Sequence, residues 1–133
     1  MGGDAIEYGV ITPNDLHRLL QGAGALQLID VRMPEEFAEV HVSAAINLPL
    51  DRVQGGGGTG DFEWRKEEPV YILCRSGRRA MTAAGEFAAA GFREVFIVEG
   101  GTEGWIEAGF PVIEEGSPVA GARASNPLNR RAS

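Results

Sequence analysis

Residues 70–80 read VYILCRSGRRA: four apolar residues, the only cysteine of the chain, a short polar stretch and the start of an alanine-rich segment. A short apolar run of this kind predicts a buried β-strand over Val70–Leu73. The residues from Arg78 to Ala90 are mostly good helix formers and are followed by Gly91, so they predict a helix. Cys74 is therefore expected between the end of a buried strand and the start of a helix.

Short apolar runs alternate with helix-forming segments on both sides of this stretch. A helix is expected to begin at Pro13 with Thr12 as its cap. The other predicted elements are a strand at Leu26–Val31, a helix at Pro34–Val40, a strand at Ala45–Leu48, a strand at Val95–Val98 and a helix at Thr102–Ala108. This alternation predicts a single α/β domain with a mostly parallel sheet of about five strands and helices on both faces.

The charge of the chain limits the classes of partner. Its formal net charge is −7 over 133 residues, and an acidic protein is a poor non-specific ligand for nucleic acids or anionic membranes. No apolar window approaches the length that spans a bilayer, and the first residues show no basic segment followed by an apolar run. We therefore expect one cytoplasmic domain that binds neither nucleic acid nor membrane.

Three features of the polar stretch favour the thiolate form of Cys74. Open parallel sheets place their ligands at the carboxyl ends of the strands. The following helix N-terminus offers free N–H groups, which favour an anion. Arg75, Arg78 and Arg79 add positive charge, although we expect one or two of them to point into solvent. Because the thiolate is the nucleophilic form of cysteine, Cys74 is a candidate nucleophile.

The loop itself is suited to an anion. Gly77 permits a tight curl in which successive backbone N–H groups point inward. A single cysteine excludes an intrachain disulfide and a CxxC motif. The competing interpretation is a packed thiol at a strand end, which is common for free cysteines. Three arginines and Ser76 are unusual neighbours for such a thiol, so the reactive interpretation is favoured.

Four segments, in order, resemble the rhodanese-like sulfurtransferase family. They are LIDVRMPEEF at residues 28–37, HVSAAINLP at 41–49, YILCRSGRRA at 71–80 and EGGTEGW at 99–105. The second segment departs from the family's GHIPGAINIP pattern at Val40, Ser43 and Ala44, a difference that concerns a turn. The resemblance implies a rhodanese-like domain at residues 6–114. Residues 1–5 are then expected to be a flexible N-terminus, and residues 115–133, which are small and polar, a disordered tail.

The resemblance also implies an activity, that of a thiosulfate sulfurtransferase. Cys74 would take a sulfane sulfur from a small anionic donor such as thiosulfate and become a persulfide. A thiol or a sulfur-carrier protein would then accept the sulfur, and no metal or organic cofactor is implied. The donor-binding residues would be those of the loop, Arg75, Ser76, Gly77, Arg78 and Arg79.

Other polar and aromatic residues in these segments are expected to support the site. Asp30 and Arg32 invite roles as an acid and an anion clamp, but a charge-assisted pair that braces the loops is favoured. His41 is not needed as a general base if the thiolate is already formed. Trp105 and Phe110 are expected to pack in or at the rim of the core.

Two other functions stay open. Phosphatases and arsenate reductases of related fold hold a phosphate in a loop one residue longer than the four residues between Cys74 and Arg79. The shorter loop makes a smaller pocket, which suits a sulfur atom better. The second alternative is a non-catalytic binding module, although such modules often lack the cysteine. Gly55–Gly58 lack the pattern of a phosphate-binding loop and predict a flexible surface loop.

Overall fold

The structure, a computed structural model, describes residues 7–22, 26–54, 64–75, 78–114 and 117–120. Strands and helices alternate along most of the chain. In order they are β1 (Glu7–Ile11), α1 (Pro13–Gly22), β2 (Gln27–Asp30), α2 (Pro34–Glu39), β3 (Val40–Val42), β4 (Ile46–Asn47), α3 (Leu50–Gln54), β5 (Val70–Leu73), α4 (Arg78–Ala89), β6 (Glu94–Val98), α5 (Gly101–Glu107), β7 (Pro111–Glu114) and β8 (Ser117–Ala120).

The central sheet has five strands in the order β1-β6-β5-β2-β4, and every neighbouring pair is parallel. β5 lies in the middle, with Leu73 opposite Asp30 on β2 and Ile72 opposite Ile97 on β6. All residues of β2 and β5 are buried, as expected for strands covered on both faces. The predicted α/β class with a parallel sheet is confirmed.

Helices cover both faces of this sheet. Phe87 of α4 belongs to the same buried cluster as Ile72 of β5. Leu16 of α1 and Trp105 of α5 belong to a second cluster with Leu73, the next residue of β5. Successive side chains of a strand point to opposite faces, so the two clusters are the two layers of the core. The cysteine that follows Leu73 is thereby directed to the α4 side.

A second sheet, which no apolar run predicted, contains three antiparallel strands in the order β3-β7-β8. The predicted helix at Pro34–Val40 is one residue too long, because Val40 begins β3 and lies opposite Glu114. Ser117–Ala120 form β8, so the expectation of a disordered tail from residue 115 is wrong for this segment. Pairing with β7 gives its backbone groups hydrogen-bond partners.

The start of the first helix agrees with the sequence. The backbone N–H of Asp15 donates to Oγ1 of Thr12 at 3.1 Å, which is the side-chain cap that the sequence predicts. Leu16 is fully buried. The bounds of other predicted elements differ by one or two residues, as for the strand predicted at Leu26–Val31, which spans Gln27–Asp30.

Some predictions fall outside the described residues. These are the N-terminal residues 1–5, the glycine run at 55–58 and the tail from residue 121 onward. Within the described ranges, no helix has both the length and the apolar character needed to cross a membrane.

Candidate active site

The central strand places Cys74 at the carboxyl edge of the sheet. Its backbone is held from two sides: the N–H of Val31 donates to the carbonyl of Leu73 at 2.9 Å, and the N–H of Thr102 donates to the carbonyl of Cys74 at 2.8 Å. The chain therefore enters the cysteine loop from a position fixed by both β2 and the start of α5. This is the edge at which parallel α/β folds bind ligands.

The cysteine side chain is deeply buried. Cys74 is 1% exposed and belongs to the apolar cluster that includes Ile72, Ala80 and Ala84. From the sequence, a packed apolar thiol and a thiol with charged neighbours are competing interpretations. In the structure Cys74 has both an apolar environment and a charged residue nearby. The sulfur belongs to the apolar cluster, while the ion pair between Arg79 of α4 and Glu36 of α2 lies near the same strand end.

Arg79, which the sequence placed in the loop, is the second residue of α4 and interacts electrostatically with Cys74. Its pKa is raised chiefly by a hydrogen bond from its guanidinium to Glu36, with smaller electrostatic contributions from Glu36 and from Cys74. Nη1 donates to Oε1 of Glu36 at 3.0 Å and Nη2 donates to Oε2 at 3.3 Å. The same hydrogen bond is the main reason why the pKa of Glu36 is lowered. Glu36 is therefore part of the site.

Arg75 points into solvent, as expected for one or two of the loop arginines. Its side chain is 66% exposed, and Nε donates to Oε2 of Glu103 on α5 at 2.8 Å. The hydrogen bond to Glu103 raises the pKa of Arg75. The predicted donor-binding residues Arg75 and Arg79 thus each have a carboxylate partner. Ser76, Gly77 and the side chain of Arg78 lie outside the described residues, so the predicted inward N–H groups stay a prediction.

The ion pair predicted between Asp30 and Arg32 is present and buried. Nε of Arg32 donates to Oδ1 of Asp30 at 2.9 Å, and Nη2 donates to Oδ2 at 2.8 Å. Nη2 also donates to the carbonyl of Val40 at 2.6 Å. The Asn47 amide donates to the carbonyls of Asp30 and Arg32, both at 3.0 Å. These bonds tie the ends of β2, β3 and β4 together beside the strand that ends at Cys74.

The remaining aromatic and histidine candidates have packing roles. Trp105 is almost fully buried and donates from Nε1 to the carbonyl of Pro111 at 2.8 Å, and Phe110 packs beside it with ring centroids 5.0 Å apart. The ring of His41 stacks on Phe37 at 3.7 Å. His41 belongs to β3 in the second sheet, and its Nδ1 lies 2.7 Å from the carbonyl oxygen of Phe37.

Two functional neighbours were not identified from the sequence. Glu36 attracts attention there only as part of the LIDVRMPEEF segment, and Glu103 only as part of the EGGTEGW segment. Their pairing with arginines 43 and 28 residues away comes from the fold and leaves no local signal. Among the described side chains, no group of three or more His, Cys, Asp or Glu residues could hold a metal ion.

Taken together, fold and site define a parallel α/β domain with a lone cysteine at the end of its central strand. The sequence profile of the rhodanese-like domain family matches residues 12–108. The chain belongs to the rhodanese-like domain family.

The chain is similar to proteins from several organisms. The Escherichia coli K12 protein YibN, whose function is uncharacterized, is 29% identical over 104 residues, which are 78% of this chain and 71% of YibN. A rhodanese-related protein from Thermoplasma volcanium superposes with a TM-score of 0.67 at 26% identity, covering 80% of this chain and 98% of that one. The thiosulfate sulfurtransferase of Pseudomonas aeruginosa gives a TM-score of 0.71 at 29% identity, covering 80% of this chain but 20% of that much longer protein.

Proposed function

We propose that this chain is a sulfurtransferase that carries a sulfane sulfur as a persulfide on Cys74. The observation that supports it best is the position of Cys74, at the end of the central strand of a rhodanese-like domain and within electrostatic reach of Arg79. A cation close to a thiol favours the nucleophilic thiolate. The likeness to a thiosulfate sulfurtransferase adds support at the level of the domain.

The proposed reaction has two steps and no net oxidation. The Cys74 thiolate attacks the outer sulfur of thiosulfate, the sulfur–sulfur bond of thiosulfate breaks, and sulfite leaves with the electron pair. A thiophilic acceptor then attacks the outer sulfur of the persulfide and releases the thiolate. The acceptor is cyanide in an assay, and we propose a thiol or a sulfur-carrier protein in the cell. The cytoplasm, where thiols stay reduced, is the compartment we propose.

The loop residues would have distinct roles in these steps. In the first step the backbone N–H groups from Arg75 to Arg79, with Ser76 and Gly77 between them, would stabilise the negative charge of the donor and then of the persulfide. The side chains of Arg78 and Arg79 would add positive charge. Asp30 and Arg32 would act by holding the strand ends in place. We propose no metal and no organic cofactor.

The deep burial of Cys74 favours a second candidate, a non-catalytic binding module. A thiol that is 1% exposed offers a sulfur donor little access in this structure. A module that only binds a partner would keep the fold and never take up sulfur.

Turnover with thiosulfate and cyanide tests the proposed function. The wild-type protein should produce thiocyanate, and Cys74→Ser should produce none while giving the same circular dichroism spectrum. Absence of thiocyanate from the folded wild-type protein would favour the binding module. Hydrolysis of an aryl phosphate would point instead to phosphoryl chemistry.

A further inference from the structure

The guanidinium of Arg79 is already occupied by a carboxylate. Both of its terminal nitrogens donate to the two oxygens of Glu36. This two-point arrangement is also the one by which an arginine binds a sulfate-like or phosphate-like anion. A donor anion that needs the same two nitrogens must displace Glu36 or bind beside it.

Glu36 is held in this position independently of Arg79. It is the third residue of α2, and its Oε1 accepts a hydrogen bond from the backbone N–H of Met33 at 2.9 Å. This is half of a helix-capping arrangement, which fixes the carboxylate at the start of the helix. The Glu36 and Arg79 side chains are 30% and 31% exposed, so the pair is less screened by solvent than a fully exposed pair.

The negative charge of Glu36 also acts on Arg75, the second arginine with a described side chain near Cys74. It contributes to the raised pKa of Arg75, after the larger contribution of the Glu103 hydrogen bond. Arg75 is itself paired with Glu103. Arg75 and Arg79 therefore each pair with a carboxylate, in a chain whose net charge is −7. A donor with two negative charges therefore gains less electrostatic binding energy here than at a site with unpaired arginines.

Building on the proposed sulfurtransferase function, we propose that Glu36 determines the charge selectivity of the Cys74 site. It disfavours dianionic donors such as thiosulfate and favours sulfane donors with a single negative charge, such as thiosulfonates and organic persulfides. The chemistry of sulfur transfer is unchanged: a thiosulfonate gives its outer sulfur to the Cys74 thiolate and leaves as a sulfinate with the electron pair.

The test compares two donors that differ by one charge. The first half-reaction is measured with thiosulfate and with methanethiosulfonate, in wild type, Glu36→Gln and Glu35→Gln. Glutamine at position 36 can still accept the Met33 N–H, so the helix cap is kept. Glu35 is exposed, lies on the same first turn of α2 and makes no ion pair within the described part of the chain, so Glu35→Gln is the matched control for loss of one charge.

We expect Glu36→Gln to raise kcat/KM for thiosulfate relative to methanethiosulfonate roughly fivefold, because one additional donor charge no longer meets the carboxylate. The control should leave this ratio within a factor of about 1.5, since a solvent-exposed charge is well screened. Added salt should reduce the difference. An unchanged or lowered ratio in Glu36→Gln would overturn the proposal, because Glu36 would then serve only to orient Arg79.

A binding measurement tests charge selection by Glu36 without requiring any sulfur transfer. Sulfate and methanesulfonate resemble the two donors but carry no transferable sulfur, and their affinities are measured from the shift in thermal unfolding midpoint. Glu36→Gln should strengthen sulfate binding relative to methanesulfonate by a similar factor. A wild-type protein that forms no persulfide with either donor would end the proposed function, while the two inert anions would still decide whether Glu36 selects by charge.

Discussion

Gly101 lies directly against the carbonyl oxygen of Cys74. A Cβ atom placed on Gly101 would be 2.1 Å from that oxygen and 2.8 Å from the carbonyl oxygen of Arg75. Gly101 also has a positive φ of 60°, which side chains disfavour. The same carbonyl of Cys74 accepts the N–H of Thr102. The turn before α5 thus fixes the backbone of the candidate nucleophile, and it can do so because residue 101 has no side chain.

Replacing this glycine should disturb both stability and the site. We expect Gly101→Ala to lower the free energy of unfolding by about 3 kcal/mol, since a close contact with backbone atoms adds to an unfavourable φ. Sulfur transfer should fall by more than the loss of folded protein explains, because the Cys74 carbonyl must move. Urea unfolding and thiocyanate production measure the two effects.

Gly109→Ala is the matched control for this substitution. Gly109 also has a positive φ, 86°, but a Cβ atom there would meet no atom within 4 Å. It should cost about 1 kcal/mol, the cost of the backbone conformation alone, and leave sulfur transfer per folded molecule unchanged. Equal losses of stability in the two variants would contradict the close contact.

The buried ion pair should be costly to break. In Asp30→Asn, the guanidinium of Arg32 stays buried without its charged partner, so we expect a loss of about 3–5 kcal/mol in the free energy of unfolding. Arg18→Gln breaks the exposed pair between Arg18 and Asp15 and should change that free energy by less than about 0.5 kcal/mol. Chemical unfolding measures the free energy of unfolding of both variants. A small loss in Asp30→Asn would show that the Asp30–Arg32 ion pair does not stabilise the strand ends.

The pair between Glu36 and Arg79 should make stability depend on pH in a defined direction. Because Arg79 lowers the pKa of Glu36 in the folded protein, the stabilisation is complete above the ordinary glutamate value, about 4.3. It is lost as pH falls through the lowered pKa. The free energy of unfolding of the wild type should therefore exceed that of Glu36→Gln by about 0.5 kcal/mol near neutral pH.

Urea unfolding of the two proteins from neutral to acidic pH checks this sign. The other carboxylates titrate in both proteins and largely cancel in the difference. The difference should shrink toward zero below the lowered pKa of Glu36. A difference that stays constant, or grows as pH falls, would show that Arg79 does not stabilise the charged form of Glu36.

A buried hydroxyl offers a stabilising substitution. Oγ1 of Thr102 is buried and has no hydrogen-bond partner among the described residues, whereas valine has the same shape without the polar atom. We expect Thr102→Val to raise the free energy of unfolding by about 1 kcal/mol. The same change at Thr12, whose hydroxyl caps α1, should lower it by about 1 kcal/mol. Thermal or chemical unfolding distinguishes the two signs, and a destabilised Thr102→Val would indicate that the hydroxyl has a partner.

Much of the central domain could be predicted because its signals are local. VYIL is apolar throughout, and the strand it forms is covered on both faces. Thr12 and Pro13 carry a capping pattern that needs no tertiary contact. The burial of Cys74 also follows from the alternation of side chains along β5. Residues 72 and 74 point to the same face of the sheet, and Ile72 lies in the core.

The rest depends on contacts between distant residues. β3 has only three residues and follows α2 without a turn residue between them, so its pattern merges with that of the helix. Its pairing with β7, as in Val42 opposite Val112, is what makes it a strand. The carboxylate that pairs with Arg79 belongs to Glu36 of α2, 43 residues earlier in the chain. The contact between Gly101 and Cys74 likewise joins residues that are distant in the sequence.

The central claim is that Cys74 carries sulfur, and intact-mass measurement tests it most directly. After incubation with thiosulfate and removal of the excess, the wild-type protein should gain the mass of one sulfur atom. Cyanide should remove that mass, and Cys74→Ser should never acquire it. An unchanged mass in the folded wild-type protein, or an equal gain in Cys74→Ser, would contradict persulfide formation at this site.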